Sequence, residues 1–230
     1  MLIKKVFYVS LAVLLLISWA GSVVFAAERY QQPPHTVAEL DRVCKKHASK
    51  NGFADVRVGS LNFQNQSGRI SVPCTLHVKQ GSTFQMSNVT IESKNFVITS
   101  DNSDHPERDL PVHVVLSNVK AKSQEGNFQI NASSTASTII VKGSTIDYPN
   151  LVGISAGPDH TDTKSSIELT GNKIRSIGQG NEGIWIISSN KAIIKDNKFE
   201  FYDPEDVPVI ISNSCVTQGN INANQSCLDF

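Results

Sequence analysis

Residues 167–174 read IELTGNKI, and residues 192–199 read AIIKDNKF. Each segment is a short apolar run, followed by a turn-forming residue, an Asn-Lys pair and a large apolar residue. Related segments recur along the chain at intervals of about 23 to 30 residues. The six copies are centred on Asn88, Asn118, Ser144, Asn172, Asn197 and Asn220. Self-similarity at this period indicates a solenoid.

A second series of short segments lies between these positions, and most of them alternate apolar and polar residues, which is the period of a half-buried strand. The series comprises residues 75–80, 95–100, 127–132, 151–156, 183–188 and 207–212. A third short strand follows each asparagine position. Helical repeats are excluded because no copy holds a long enough run of 3.6-residue periodicity, and leucine-rich repeats are excluded by the missing leucine pattern.

The sequence therefore predicts an all-β fold, a right-handed parallel β-helix of about six to seven coils stacked about 4.8 Å apart. A tight corner between sheets needs a left-handed residue, which asparagine tolerates, and stacked amides can hydrogen-bond along the stack. We expect the asparagine positions to form such a ladder. The large apolar residue follows Asn172 by two positions but Asn88 by one, which indicates a shifted strand or a bulge.

This pattern resembles the right-handed parallel β-helix repeats of the pectate-lyase-like superfamily and of related periplasmic repeat proteins, over roughly residues 55–227. The resemblance implies an architecture and not an activity, since that superfamily includes lyases, hydrolases, epimerases, adhesins and proteins of no known activity. It also implies where a site would lie: in a groove along one sheet, lined by outward side chains and by neighbouring loops.

The N-terminus carries two lysines and then a long apolar run that ends in Val24-Phe25-Ala26. This predicts a signal peptide over residues 1–26, with a retained membrane anchor as the alternative. The mature chain then divides into residues 27–54, with a capping helix, and residues 55–230, the β-helix. We predict a secreted or periplasmic protein with no membrane span after cleavage.

The 21 basic and 21 acidic residues form no basic patch, so we predict no nucleic-acid partner. Four cysteines after a signal peptide favour disulfides. Of the three pairings, Cys44–Cys74 and Cys215–Cys227 keep each bridge local. A metal site is the alternative, but the chain has no CxxC motif and no histidine at ligand spacing. We predict no metal and no cofactor; a calcium site lacks support.

Residues 36–49 predict an amphipathic helix, because Thr36 and Glu39 form a capping box and the apolar residues fall on one face. A stack of coils exposes its apolar interior at both ends. We expect this helix to cover the first coil, held there by Cys44–Cys74.

If the apolar alternate residues of the second series face the interior, the residues between them face outward, and most of these are polar. The outward set comprises His77, Lys79, Thr99, Gln129, Asn131, Ser155 and Trp185. These strands show no carboxylate pair and no arginine, so a calcium-and-arginine lyase site is not supported. Trp185 on a flat sheet suits stacking on a sugar ring, with Gln129 and Asn131 beside it as ligand-binding residues. The alternatives are that a loop covers Trp185 or that it fills the interior.

Two loops follow this series of strands, over residues 101–109 and 158–164, and each contains an Asp-His pair. Loops on a rigid scaffold often carry binding residues. The candidates for a general acid and base or a metal are Asp101, Asp104, His105, Asp159, His160 and Asp162. The alternative is that these are solvated turns.

Three functions remain open at the level of sequence. The one we favour is a non-catalytic exported β-helix that binds a glycan or other cell-surface polymer, because the chain is short and its strand faces carry few charges. The second is a polysaccharide hydrolase or lyase that uses the Asp-His loops. The third is a structural or adhesive solenoid, which would expose a contiguous apolar patch. The ligand and the oligomeric state do not follow from the sequence.

Overall fold

The structure is a computed structural model that describes residues 33–101, 110–158, 162–177, 183–203, 206–223 and 228. The predicted signal peptide lies outside the described residues. In the described part, one helix and sixteen strands form a parallel β-solenoid of about six turns, which confirms the predicted all-β fold. Within that part, the helix is too short and too polar to cross a lipid bilayer.

The second series of segments forms one parallel sheet in register, which we call the first face. Its strands are β1 Ala54–Val58, β3 Cys74–Lys79, β5 Phe96–Asp101, β8 Phe128–Ala132, β11 Val152–Ala156, and the beginnings of β14 Ile184–Lys195 and β16 Val209–Gln218. The sheet begins one coil earlier than predicted, at β1. All six predicted segments are strands of this sheet.

Two further sheets, the second and third faces, complete each coil. The second face contains the beginnings of β2 Leu61–Ile70 and β4 Thr83–Ser93, then β6 His113–Ser117, β9 Thr138–Lys142, β12 Ser166–Thr170, and the ends of β14 and β16. The third face contains the ends of β2 and β4, then β7 Lys120–Lys122, β10 Thr145–Asp147, β13 Lys173–Ser176 and β15 Lys198–Phe201. Long strands such as β4 turn a corner and pair on both faces.

The predicted capping helix is confirmed as α1, Val37–His47, which packs on β1 and β2. Thr36 is its N-cap and accepts a 3.1 Å hydrogen bond from the Glu39 N–H. The helix buries Leu40 and Cys44 against the first coils, and the predicted Cys44–Cys74 disulfide is present. The cap therefore combines an apolar face with a covalent link to β3.

At the other end of the solenoid, Leu228 forms a parallel bridge with Ile211 of β16, and its backbone N–H and C=O both bond to that strand. Cys215, on the same strand, is disulfide-bonded. Its predicted partner, Cys227, lies outside the described residues.

Aromatic side chains fill the interior of the first four coils. Successive rings stand with their centroids 5.4 to 6.4 Å apart. The row comprises Phe63, Phe84, Phe96, Phe128 and Tyr148. The Tyr148 hydroxyl bonds to Ser93 Oγ at 2.6 Å, and burial raises the pKa of Tyr148 far above its usual value, so the phenol stays neutral.

The corner between the second and third faces corrects one prediction. The left-handed position of each coil holds Asn65, Asn88, Asn118, Gly143, Gly171, Asp196 and Gly219 in turn. Asn172, Asn197 and Asn220 lie one residue later, outside the left-handed region. The prediction that all six repeat centres share one left-handed position is therefore wrong.

The correction explains the offset in the sequence. In the early coils, asparagine takes the left-handed position and an apolar residue such as Val119 turns inward next. In the later coils, glycine or aspartate takes the left-handed position, and the residue that turns inward is Ser144 in the first of them and an asparagine, Asn172 or Asn197, in the next two. Glycine adopts this conformation at no steric cost, and aspartate tolerates it.

Both sets of asparagines form ladders, as predicted. On the exposed ladder, Asn88 Nδ2 donates to Asn65 Oδ1 at 2.9 Å, and Asn118 Nδ2 donates to Asn88 Oδ1 at 3.2 Å. On the buried ladder, Asn172 Nδ2 donates to Asn197 Oδ1 at 2.9 Å, and Asn197 Nδ2 donates to the next asparagine at 3.0 Å. The buried ladder also bonds to the backbone of neighbouring coils.

One outward column of the third face alternates in charge at every coil. In register, it holds Arg69, Glu92, Lys122, Asp147, Arg175 and Glu200. Arg175 NH1 lies 3.3 Å from Asp147 Oδ2, and Arg175 Nε lies 3.9 Å from Glu200 Oε2. Opposite charges on neighbouring strands stabilise a sheet, whereas like charges destabilise it.

Glu200 forms ion pairs with one cation of this column, Arg175, and with Lys173 and Lys198 beside it. The ammonium of Lys198, bonded at 2.8 Å, lowers the pKa of the Glu200 carboxyl; burial opposes this, and Lys173 at 3.2 Å adds to the lowering. We expect Glu200→Gln to reduce the free energy of unfolding by roughly 0.5–1 kcal/mol near neutral pH. Because the pKa of Glu200 is lower in the native than in the unfolded state, its ionised carboxylate stabilises the fold at pH values above the unfolded-state pKa. This stabilisation is lost as the pH falls through the native pKa.

The difference between the wild type and Glu200→Gln should therefore shrink towards zero as the pH is lowered from neutral to about 3. Urea titrations of both proteins at several pH values measure it. A difference that stays constant with pH would contradict the ionic explanation.

Candidate functional site

A groove of about 470 Å³ lies on the first face, across three consecutive coils. It is lined by Asn127, Gln129, Ile130, Asn131, Leu151, Gly153, Ile154, Ser155, Trp185 and Ile187. All three side chains predicted to bind ligand, Trp185, Gln129 and Asn131, belong to this set. The predicted outward register of their strands is correct, because their neighbours Ile130, Ile154 and Ile186 are buried.

The lining residues form three rows, one on each strand. Asn127, Gln129 and Asn131 alternate along β8 and the residue before it, and together make a row of side-chain amides. Leu151, Gly153 and Ser155 make the middle row, on β11. Trp185 and Ile187 make an apolar row on β14. The groove thus has a polar side, a floor of mostly small residues and an apolar side.

Strand register fixes the width of the groove. Gly153 pairs with Gln129 on one side and with Trp185 on the other. Neighbouring strands lie about 4.8 Å apart, so the amide row and the apolar row are separated by about 10 Å at the backbone. The middle row forms the floor between them.

Gly153 makes the floor shallow at its centre. Glycine weakens a strand and often marks a place where a ligand approaches the backbone closely. Here the backbone does not require it: Gly153 does not have a positive φ, and a Cβ at this position would lie 3.6 Å from Gln129 Cγ and 3.8 Å from Leu151 Cδ2, which are ordinary contacts. The side chain is therefore absent where space for one exists.

A polar contact within the groove orients one of the amides. Ser155 Oγ donates to Asn131 Oδ1 at 3.1 Å, which directs the other end of that amide, its N–H₂ group, away from the serine. The backbone N–H of Asn127 donates to Asn95 Oδ1 at 2.6 Å. Within the described residues, Asn127 Oδ1 is buried and has no hydrogen-bond partner. Buried polar atoms are nearly always bonded, so this unpaired acceptor in a lining residue is an exception.

Trp185 is 42% exposed, although it sits in a regular strand between the buried Ile184 and Ile186. The half-buried Ile187 extends the apolar side of the groove along β14. An exposed indole on a sheet presents an apolar face with an N–H at its edge, which suits contact with a ring that carries hydroxyls.

The first three coils of the same face are charged. His77 Nε2 lies 3.1 Å from Asp55 Oδ1, and Arg57 Nε lies 3.3 Å from Asp101 Oδ2. The six predicted strands carry no arginine, as predicted, but β1, which was not predicted, adds Arg57 to this face. Asp101 is buried and ion-paired.

The catalytic candidates divide into two groups. Asp104, His105, Asp159 and His160 lie outside the described residues, so their role stays a prediction. Asp162 is described, and its carboxylate is bonded within its own corner. Its oxygens accept from the N–H groups of Lys164, at 2.8 Å, and Ala136, at 3.3 Å, and from the hydroxyls of Ser165 and Ser189.

These contacts also set the charge of Asp162. Burial raises the pKa of Asp162, but the Ser165 hydroxyl and the backbone N–H donors outweigh burial and hold the pKa below its usual value. An ionised carboxylate bonded to this many donors acts as a cap for the corner. Among the described residues, no group of three histidine, cysteine or acidic side chains is arranged to hold a metal ion.

No protein-family model matches this chain, and no curated protein and no solved structure shows significant similarity to it. Function is therefore argued from the site alone.

Proposed function

We propose that this chain is an exported, non-catalytic protein that binds a glycan or another extracellular polymer in the groove on the first face. The observation that supports this most directly is the pairing of an exposed Trp185 with a facing row of three amides across a glycine floor. Carbohydrate surfaces combine apolar ring faces with hydroxyls, and a site with an aromatic side and an amide side matches both.

The chemistry of the lining favours binding over hydrolysis. Glycoside hydrolysis needs two carboxyl groups about 5 to 10 Å apart. In the part of the chain that the structure describes, the lining of the groove offers amides, one hydroxyl and apolar groups, and no titratable side chain. Asp162, the one acidic residue of the Asp-His loops beyond Asp101 that the structure describes, bonds to its own corner.

Export is proposed from two features together. The N-terminal sequence has the order of a signal peptide, and the structure contains the Cys44–Cys74 disulfide. Disulfides persist in oxidising compartments, outside the cell or in a periplasm.

Trp185 provides a direct test. The sequence has two tryptophans, and the other is Trp19, in the predicted signal peptide. In a chain expressed from Ala27, tryptophan fluorescence therefore reports on the groove alone. We expect a polysaccharide that binds there to shift or quench this emission with a saturable dependence on concentration.

We expect Trp185→Ala to weaken binding by about tenfold or more, because burying a large apolar side chain contributes about 1.5–3 kcal/mol. Isothermal titration calorimetry measures the loss. The matched control is Tyr202→Ala, which removes an aromatic side chain that is 64% exposed and is not part of the groove. It should leave affinity unchanged.

Two results would overturn the proposal. One is the absence of binding across a broad polysaccharide panel. The other is release of cleaved product by the wild type that disappears in an Asp159→Ala, His160→Ala variant, which would make the chain an enzyme that works through its loops.

A further inference from the structure

The groove contrasts in charge with the rest of its face. Among the described residues, those that line the groove carry no ionisable side chain. The charged residues of the described first face that form ion pairs, Asp55, Arg57, His77 and Asp101, all lie on the first three coils. An anionic polymer such as a polyuronate needs cations to match its carboxylates, and it would find them only outside the groove. The groove instead suits a ligand that carries no charge.

The groove also has a direction. Its lining runs along β8 and β11 from Asn127 to Asn131 and from Leu151 to Ser155, about 13 Å at 3.3 Å per residue. Across the strands it stops after three coils. Val97, which pairs with Gln129, and Val209, which pairs with Trp185, are not among the lining residues. An extended ligand that ran along the solenoid axis would have to cross both valines and would reach the charged coils.

From these two observations we propose that the groove binds a single uncharged glycan chain that lies along β11, across the solenoid axis, between the amide row and Trp185. This rests on the proposed function and adds to it the charge class and the orientation of the ligand. The amide groups of Gln129 and Asn131 exchange hydrogen bonds with hydroxyls on one edge of the sugar chain. Trp185 contacts an apolar ring face, and Gly153 lets the chain approach the backbone.

The charge class is tested with four probes: a neutral glucan, a neutral mannan, a polyuronate and a sulfated polysaccharide. We expect binding to be limited to neutral probes, and its affinity to change by less than about twofold when salt is raised from about 0.05 to 0.5 M, because no ion pair is screened. Preferred binding of the polyuronate or the sulfated polysaccharide, with affinity that falls steeply with salt, would overturn the inference.

The position of the ligand over the floor of the groove is tested at Gly153. We expect Gly153→Val to keep or slightly raise the unfolding midpoint, because valine favours strands and the site has room for a Cβ. The same substitution fills the floor, and we expect it to weaken binding of the neutral probe by about tenfold or more, equivalent to about 1.4 kcal/mol or more. Unchanged affinity in this folded variant would overturn the inference.

Val97→Lys and Val209→Lys serve as the matched pair along the other direction. Both are outward positions on the same face, one coil beyond each side of the groove. A chain that lies along β11 avoids them, so affinity should change by less than about twofold. A loss of tenfold or more in both would place the ligand along the axis and overturn the orientation.

Different results would contradict the binding function and the charge class of the ligand. If no probe binds and Trp185 fluorescence stays constant, the proposed function itself is wrong. If a charged probe binds and Trp185→Ala abolishes that binding, the proposed function holds and the inference about charge is wrong.

Discussion

Replacing Asn197 with alanine is expected to lower the free energy of unfolding by about 3–5 kcal/mol, because several buried groups lose their hydrogen-bond partners at once. The Asn197 side chain is buried, and its Oδ1 accepts from both the N–H and the Nδ2 of Asn172, at 3.0 and 2.9 Å. Its Nδ2 donates to the Leu169 carbonyl at 2.9 Å. Alanine leaves the Asn172 N–H and this carbonyl without that partner in the interior.

Asn88→Gly is the matched control, since it removes an amide from the exposed ladder. Asn88 has a φ of 54°, which glycine adopts freely. Its amide is exposed, so water can replace the lost bonds, and we expect a change within about 1 kcal/mol. Urea denaturation of both variants compares the two ladders. Equal losses for the two would mean that burial does not set the strength of the ladder.

Removing the Cys44–Cys74 disulfide by a double alanine substitution is expected to cost about 3–4 kcal/mol, the entropy of closing a loop of this length in the unfolded chain. The two cysteines are 30 residues apart in sequence, and both are buried. The helix α1 would then be held by noncovalent contacts such as the 2.7 Å bond from the Ser71 N–H to Asp41 Oδ1. We expect the first coil to open before the rest of the solenoid.

Denaturation with and without a reducing agent measures this effect. Reduction should lower the stability of the wild type by more than that of the double alanine variant, in which only the disulfide at Cys215 remains to be broken. Hydrogen exchange locates the change, and we expect faster exchange at β1 and β2. An unfolding midpoint identical to the wild type would show that the helix needs no covalent link.

The strands of the first face could be predicted from the sequence, because their apolar inward residues alternate with polar outward residues. The sequence also predicted α1 from Thr36, Glu39 and the apolar face of the helix. It failed at the corner, where Asn118 and Asn172 look equivalent along the chain but differ by one residue in space. The different distance to the next large apolar residue indicated an irregularity there, and the pairing of Ser117 with Lys142, and of Lys142 with Thr170, shows that it is a shift of one residue.

The candidate site was predictable in part for the same reason. Trp185, Gln129 and Asn131 follow from alternation within single strands. The contributions of Asn127, Leu151 and Gly153 depend on which residues stand beside one another in neighbouring coils, and that register is not visible within one repeat. The strand β1, with Arg57, was missed although its coil holds Asn65, 23 residues before Asn88; the residue before Asn65 is Gln64, whereas turn formers precede the other repeat centres.

The alternating column on the third face limits how this solenoid can change length. From Arg69 to Glu200 the sign inverts at each step, so the pattern has a period of two coils while the backbone has a period of one. Deleting or duplicating a single coil would set two like charges side by side at the junction, whereas adding or losing coils in pairs preserves the attraction. Adding an even number of coils therefore keeps opposite charges on neighbouring strands, whereas adding an odd number places two like charges next to each other.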